Sequence, residues 1–275
     1  MSLTPEAMKH IEGMAKAGEI VKAPKVDFDA VLIPSDMTIQ STEHLQKYKN
    51  RYTGQFITDS IKSFAEYANK QSEKTCFVSS EEPTAMAIFD LGTTDKPLHA
   101  VHRAQVELER TAAYKALLAF TSGRSDQNDM AVFMEDWAFC LSATDDAGEP
   151  MDIQKAIMAI RNITIDAKAK HESEVRTFST NKSINEEIEA SSKGMPLPAF
   201  ITFKTVPFRG VKERDFPMRV NAAIQRGEIT FNMKITNLDL IMEEIIAEFR
   251  SLIEDALDDG TLTYTGFFKT HGDHR

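Results

Sequence analysis

Few residues in this chain are spaced for chemistry, and each such group has a plainer reading beside it. Glu135-Asp136 is an acidic pair in a helical stretch. Adjacent helix positions point about 100° apart, so the two carboxylates cannot share a substrate as one dyad. One of them could serve as a ligand or a general base. The plainer role is solvating an outer face while Phe133 and Trp137 pack inward. His99 and His102 are three apart on a segment that reads as a strand, which puts them on opposite faces and denies them a shared metal. His271 and His274 close the chain around Asp273 and could hold a divalent ion loosely, or simply end a polar tail. Cys76 and Cys140 lie between apolar neighbours and read as two buried, reduced thiols.

Residues 200–226 are locally basic, with Lys204, Arg209, Lys212, Arg214, Arg219 and Arg226 against Glu213 and Asp215. Phe200, Phe203, Phe208 and Phe216 are interleaved with them. Three readings stay open: arginines on phosphates with rings on bases, a contact with an acidic surface of another subunit, and a buried strand with solvated charges at its ends. No Gly-x-Gly, phosphate-binding loop, nucleophile elbow or His-Glu-x-x-His zinc helix occurs. The expectation is a chain without catalytic residues, cofactor or metal.

The elements that would position these groups can be read from patterning. Thr4-Pro5-Glu6 opens a helix that Gly18 should close, followed by a connector through residue 29. Strands are expected at Ala30–Ile33 and Met37–Gln40. Thr58-Asp59 should cap a helix carrying Ile61, Phe64, Ala65 and Ala68. Strands follow at Cys76–Val78, Ala85–Phe89 and Leu98–Leu108, then helices at Thr111–Thr121, Asp126–Leu141 and from Asp152. Exposed strands are expected near Ile163–Ala169 and Val175–Phe178. Phe200–Val206 reads as a strand, Met218–Ile224 and Glu228–Ile235 as a hairpin turning at Arg226-Gly227, and Thr261–Phe268 as a last strand. Runs of strands and runs of helices make the class α+β, with a largely antiparallel sheet. The expected division is 1–29 and 30–275, with a candidate subdivision of the latter near 162.

The strongest single pattern is in the last long helix, expected from its cap Asn237 to Gly260. Leu238, Met242, Ile245, Phe249, Leu252 and Ala256 recur in steps of four and three, the spacing of an apolar seam. Eight acids accompany it against a single Arg250. Ile241, Ile246 and Ile253 widen the stripe, so a core-facing helix of one domain accounts for it as well as an intersubunit seam does. Opposite charge on residues 199–226 and 237–260 suggests that two copies meet head to tail. Leu238, Met242, Ile245, Phe249 and Leu252 would then face Arg209, Lys212 and Arg214 of the next copy.

Ser63-Phe64-Ala65-Glu66-Tyr67, Val132-Phe133-Met134-Glu135-Asp136, and Leu197-Pro198-Ala199-Phe200 leading into Val206-Pro207-Phe208-Arg209-Gly210 occur in this order. Together they resemble the YfdQ family of phage and prophage proteins, over most of residues 30–235. That family has no assigned function and no agreed catalytic residues. The resemblance implies a phage or prophage origin and a life in the bacterial cytoplasm. Trp137 departs from the family pattern, in which a polar residue usually follows the Glu-Asp pair.

The formal charge is −10 over 275 residues and 42% of residues are hydrophobic. A chain of this length can bury roughly three quarters of its unfolded surface without disulfides or metal. Net acidity argues against broad phosphate-backbone binding, so nucleic acid is an unfavoured partner. No basic-then-apolar leader and no run near the roughly 20 apolar residues of a membrane span is present. The sequence therefore leads to a cytoplasmic, non-enzymatic, self-assembling structural protein with itself as partner. The alternative is a regulatory or anti-defence protein that binds a host protein or nucleic acid. An enzyme with a site built from scattered residues is the third reading.

Overall fold

The chain is seen in a computed structural model that describes residues 4–22, 47–48, 51–163, 197–225 and 228–269. It divides into two units, residues 1–52 and 53–275. In the first, helix α1 spans Pro5–Lys22 with Met8, Ile11 and Met14 exposed along one side. It runs through Gly18, where the sequence suggested a stop. A glycine in a helix interior costs only about 1 kcal/mol against alanine, too little to end a helix whose neighbours favour it. The strands expected at 30–33 and 37–40, the domain boundary near 29, the strands within 164–178 and the terminal histidines lie outside the described residues.

The second unit is α+β, with one mixed sheet and one wholly antiparallel sheet. Its elements, in chain order, are β1 Gly54–Thr58, α2 Ile61–Ala68, β2 Thr75–Val78, β3 Thr84–Ile88, β4 His102–Glu107, α3 Ala112–Thr121, β5 Ser125–Asp126 and α4 Gln127–Asp136. Then come β6 Leu141–Thr144, β7 Pro150–Met151, α5 Ile153–Arg161, β8 Phe200–Thr205, β9 Arg214–Gln225, β10 Glu228–Ile235, α6 Leu238–Ala256 and β11 Leu262–Thr265. The first sheet has the order β1-β4-β3-β2-β11, and the second β5-β10-β9-β8-β6-β7. Strands from both sides of residue 162 thus share the second sheet.

In the first sheet β2, β3 and β4 form an antiparallel meander, as their alternation suggests, but both edges are parallel additions: β1 beside β4 and β11 beside β2. Cys76, Val78, Ala85, Ala87, Ala104 and Val106 are buried on one face and join a core cluster with Phe64 and Ala68 of α2. In the second sheet Ile201, Phe203, Phe216, Met218, Ile229, Phe231, Met233 and Ile235 alternate inward. Tyr114 of α3 lies against Phe216 with ring centroids 5.0 Å apart.

Several boundaries differ from the patterning. Thr58 ends β1 instead of capping a helix. Ser60 is the cap of α2 and its side chain accepts from Ser63 N–H, while the Thr58 hydroxyl oxygen accepts from Ser60 N–H. Residues 98–101 are not strand: Ala100 holds φ 50, a left-handed conformation, and its N–H donates to Asp90 O. Helix α4 stops at Asp136, not at Leu141. Trp137 is its C-cap and sits 5.8 Å from Phe203. A 3-10 turn over Ala138–Cys140 then delivers Leu141 into pairing with Phe203 on β8.

Strand β9 starts at Arg214, before the expected Met218, and passes through Pro217. Pro217 O accepts from Thr236 N–H, one residue past the last β10 pair, Ile235 with Met218. The main-chain nitrogen of Pro217 faces that same side, beyond the ladder's end, so no ladder bond is lost. The hairpin register pairs Gln225 with Glu228, with the turn residues 226–227 outside the description. Asn237 precedes α6 in the left-handed region at φ 55 and makes no side-chain capping bond. At the other end α6 closes at Ala256. Asn69 of α2 donates to Ala256 O and accepts from Asp258 N–H. Gly260 then sits at φ 88 in the turn to β11.

Candidate interaction surface

The groups singled out for chemistry are mostly tied into the fold. Glu135 forms a two-pronged pair with Arg161 of α5, both contacts at 2.6 Å, and the guanidinium holds its carboxyl below the usual carboxylate range. The pair clips α4 to α5 at the surface. His102 lies on β4, with Nε2 3.0 Å from the Tyr67 hydroxyl, and its main-chain N–H donates to Asp90. Burial lowers its pKa, against the opposing charge of Asp90. His99 is exposed in the preceding loop, away from the strand. Among the described residues no three His, Cys, Asp or Glu side chains are arranged to hold a metal ion.

Both cysteines are free. Cys76 is buried and its thiol is pushed up to about 12, first by desolvation and then by Glu254. Cys140 is half-buried and also raised, by burial and then by Glu213. Thiolate is the reacting form, so a maleimide should label Cys140 first and leave Cys76 unmodified until the chain unfolds. Peptide mass mapping after graded exposure checks that order.

A groove of about 900 Å³ opens where β1 and β4 end and β3 begins. It is lined by Asp59, Glu81, Glu82, Glu107 and Glu109, with Arg110 and Lys115 as its cations. Five acids against two bases disfavour a phosphate-bearing ligand there.

Part of the opposite charge that suggested two copies meeting is paired within one chain, at Arg214 and Glu248. Arg214 lies 2.6 Å from Glu248 and 4.0 Å from Glu244 of α6. Lys212 N–H donates to Glu248 at 2.9 Å. Arg209 reaches Asp59 at 3.1 Å and Glu109 at 3.5 Å. Lys204 pairs with Glu213, and Arg219 lies over the Phe200 ring. The apolar seam goes the same way. Ile245, Phe249 and Ile253 are fully buried, and Leu238, Met242 and Leu252 pack partly buried against the same core. Met242 Sδ accepts from the Tyr114 hydroxyl at 3.4 Å. Ile245 and Phe249 are closed to another copy while the domain stays folded, which leaves association to surfaces whose side chains are exposed.

Such a surface lies on the first sheet. Register places Ile57, Gln105, Met86, Phe77 and Tyr264 side by side across all five strands, on the face opposite the buried alanines. Ile57 is 63% exposed and Tyr264 50%, with Gln105, Met86 and Phe77 half-buried between them. Phe77 stacks on Tyr264 with centroids 5.7 Å apart and meets Phe268 at 5.2 Å. Leu262, on the same face of β11, is 58% exposed. On the same face Ile88, paired with Arg103, is buried. Patterning of single segments missed this row, because its members come from strands some 200 residues apart. The alternation of Leu262 and Tyr264 with threonines was the one local sign of it.

A family model described as an uncharacterized conserved protein, DUF2303, matches residues 3–268, and the chain belongs to that family. No curated protein matches the chain, and no solved structure does. Among the described residues no helix is long and apolar enough to cross a membrane.

Proposed function

We propose that this member of the family is a non-catalytic building block that associates with copies of itself. The observation that carries the reading is the row across the first sheet from Ile57 to Tyr264, exposed at both ends and half-buried between them. Exposed apolar rows that extend across a whole sheet mark association surfaces more often than they mark plain solvent-facing surface. The acidic groove and the internal pairing of the basic segment both weigh against nucleic acid as the partner. A phage or prophage origin and a cytoplasmic place in the bacterial host rest on the sequence resemblance and complete the proposal.

Association couples stability to concentration. A hundredfold rise in protein concentration should therefore raise the melting temperature by several degrees. A melting temperature that stays constant over that range would speak for a lone chain. A low-salt mobility shift with single-stranded DNA or RNA separates the regulatory alternative, since a building block leaves the nucleic acid unshifted.

A further inference from the structure

Among the described residues, the short edge strand β11 has no strand on its outer side. Residues 260–266 read Gly-Thr-Leu-Thr-Tyr-Thr-Gly, with no charge and no proline. Edge strands are normally blunted by lysine, proline, a bulge or a covering element, and β11 is the last strand of its sheet on that side. The segment is also a near-palindrome about Thr263: Gly260 mirrors Gly266, Thr261 mirrors Thr265, and Leu262 mirrors Tyr264. Both glycines carry positive φ, 88 and 131, so they bound the straight part of the strand at its two ends.

The direction of the backbone agrees with the palindrome. Gly266 N–H donates to Val78 O of β2. Along a strand the main-chain groups alternate in direction, so Leu262 and Tyr264 also turn theirs toward β2, in register with Thr75 and Phe77. Thr263 and Thr265 turn theirs outward, to the side where no strand of the described residues pairs with β11.

Given the self-association proposed above, we propose that β11 is its contact, pairing antiparallel with β11 of a second copy about a twofold axis at Thr263 and joining two five-stranded sheets into one of ten strands. Thr263 of each copy then exchanges two main-chain hydrogen bonds with Thr263 of the other. Thr265 N–H donates to Thr261 O. Leu262 falls opposite Tyr264 at a non-hydrogen-bonded position, where Cα atoms approach to about 4.5 Å and an aliphatic–aromatic pair packs well. Both side chains lie on the same face of the sheet, so Leu262 and Tyr264 of the two copies form one apolar cluster at the axis. The contact is isologous and closes at two chains. Arg250, which donates to the Thr265 hydroxyl, is brought toward the strand end that carries Asp259 in the other copy.

Thr263→Pro tests this with little cost to the fold. The donor it removes points outward, and edge strands accept proline at such positions. The expected result is half the wild-type native mass with the circular dichroism spectrum retained. Leu262→Lys, at a side chain already more than half exposed, should do the same. An unchanged mass for either folded variant overturns the β11 contact while leaving self-association standing. A wild-type chain that is itself a single copy overturns both. Hydrogen exchange on the wild-type protein needs no variant: the Thr263 and Thr265 amides should be protected at high concentration and lose at least tenfold protection on dilution to single chains. Fast exchange at both amides in the associated state overturns the contact.

Discussion

Phe249→Asp should unfold the chain, while Leu240→Asp on the same helix should leave its melting temperature almost unchanged. Phe249 is fully buried in the core beneath α6, whereas Leu240 is 57% exposed. Truncating a buried phenylalanine costs about 3–5 kcal/mol. Placing a carboxylate there adds the penalty of a buried charge without a partner. The sum is comparable with the roughly 5–15 kcal/mol that holds a whole domain folded. Circular dichroism melts of the two variants give the comparison. If Phe249→Asp instead kept its melting temperature and lost native mass, the seam of Leu238, Met242, Ile245, Phe249 and Leu252 would be the contact between copies.

The second large effect is expected at Arg214 and Glu248. Their side chains are only 21% and 13% exposed. Arg214 Nε is already buried without a hydrogen-bond partner. Glu248→Ala strands the guanidinium and also removes the acceptor of Lys212 N–H. Breaking such a largely enclosed pair from one side costs about 3–5 kcal/mol. Replacing both partners at once, Arg214→Met with Glu248→Leu, should recover most of that loss, because no charge is left to desolvate. Urea denaturation of the single and double variants measures the coupling. Additive losses in the double variant would mean that the two side chains act independently.

These two sites also mark how far the sequence could be read. The spacing of the α6 stripe and the opposite charges of residues 199–226 and 237–260 were legible, since both are local. Which surface they meet was not, because an apolar stripe and an ion pair look alike within a chain and between chains. The same limit explains α4. Phe133, Trp137 and Leu141 keep helical spacing, yet the helix ends at Asp136 because Leu141 pairs with Phe203 on a strand some sixty residues later. Strand β1 went unread because Gly54-Gln55-Phe56-Ile57-Thr58 carries only two large apolar residues, and its parallel partner β4 supplies the rest. In β9 the strand was read only from Met218, while its first residues Arg214–Pro217 are held by pairing with β8. The meander β2-β3-β4, the helix starts at Thr111 and Asp126, the cap Asp152 and the α+β class were all legible, since alternation and helix-start chemistry are written within a few residues.

The central claim is that the protein works as an assembly of its own copies. Native mass spectrometry of the full chain at about micromolar concentration tests it most directly, at the ionic strength where exposed charges are screened beyond about 8 Å. The claim predicts one discrete species at an even multiple of 30.8 kDa, two chains if β11 is the sole contact. A single species at 30.8 kDa would contradict it.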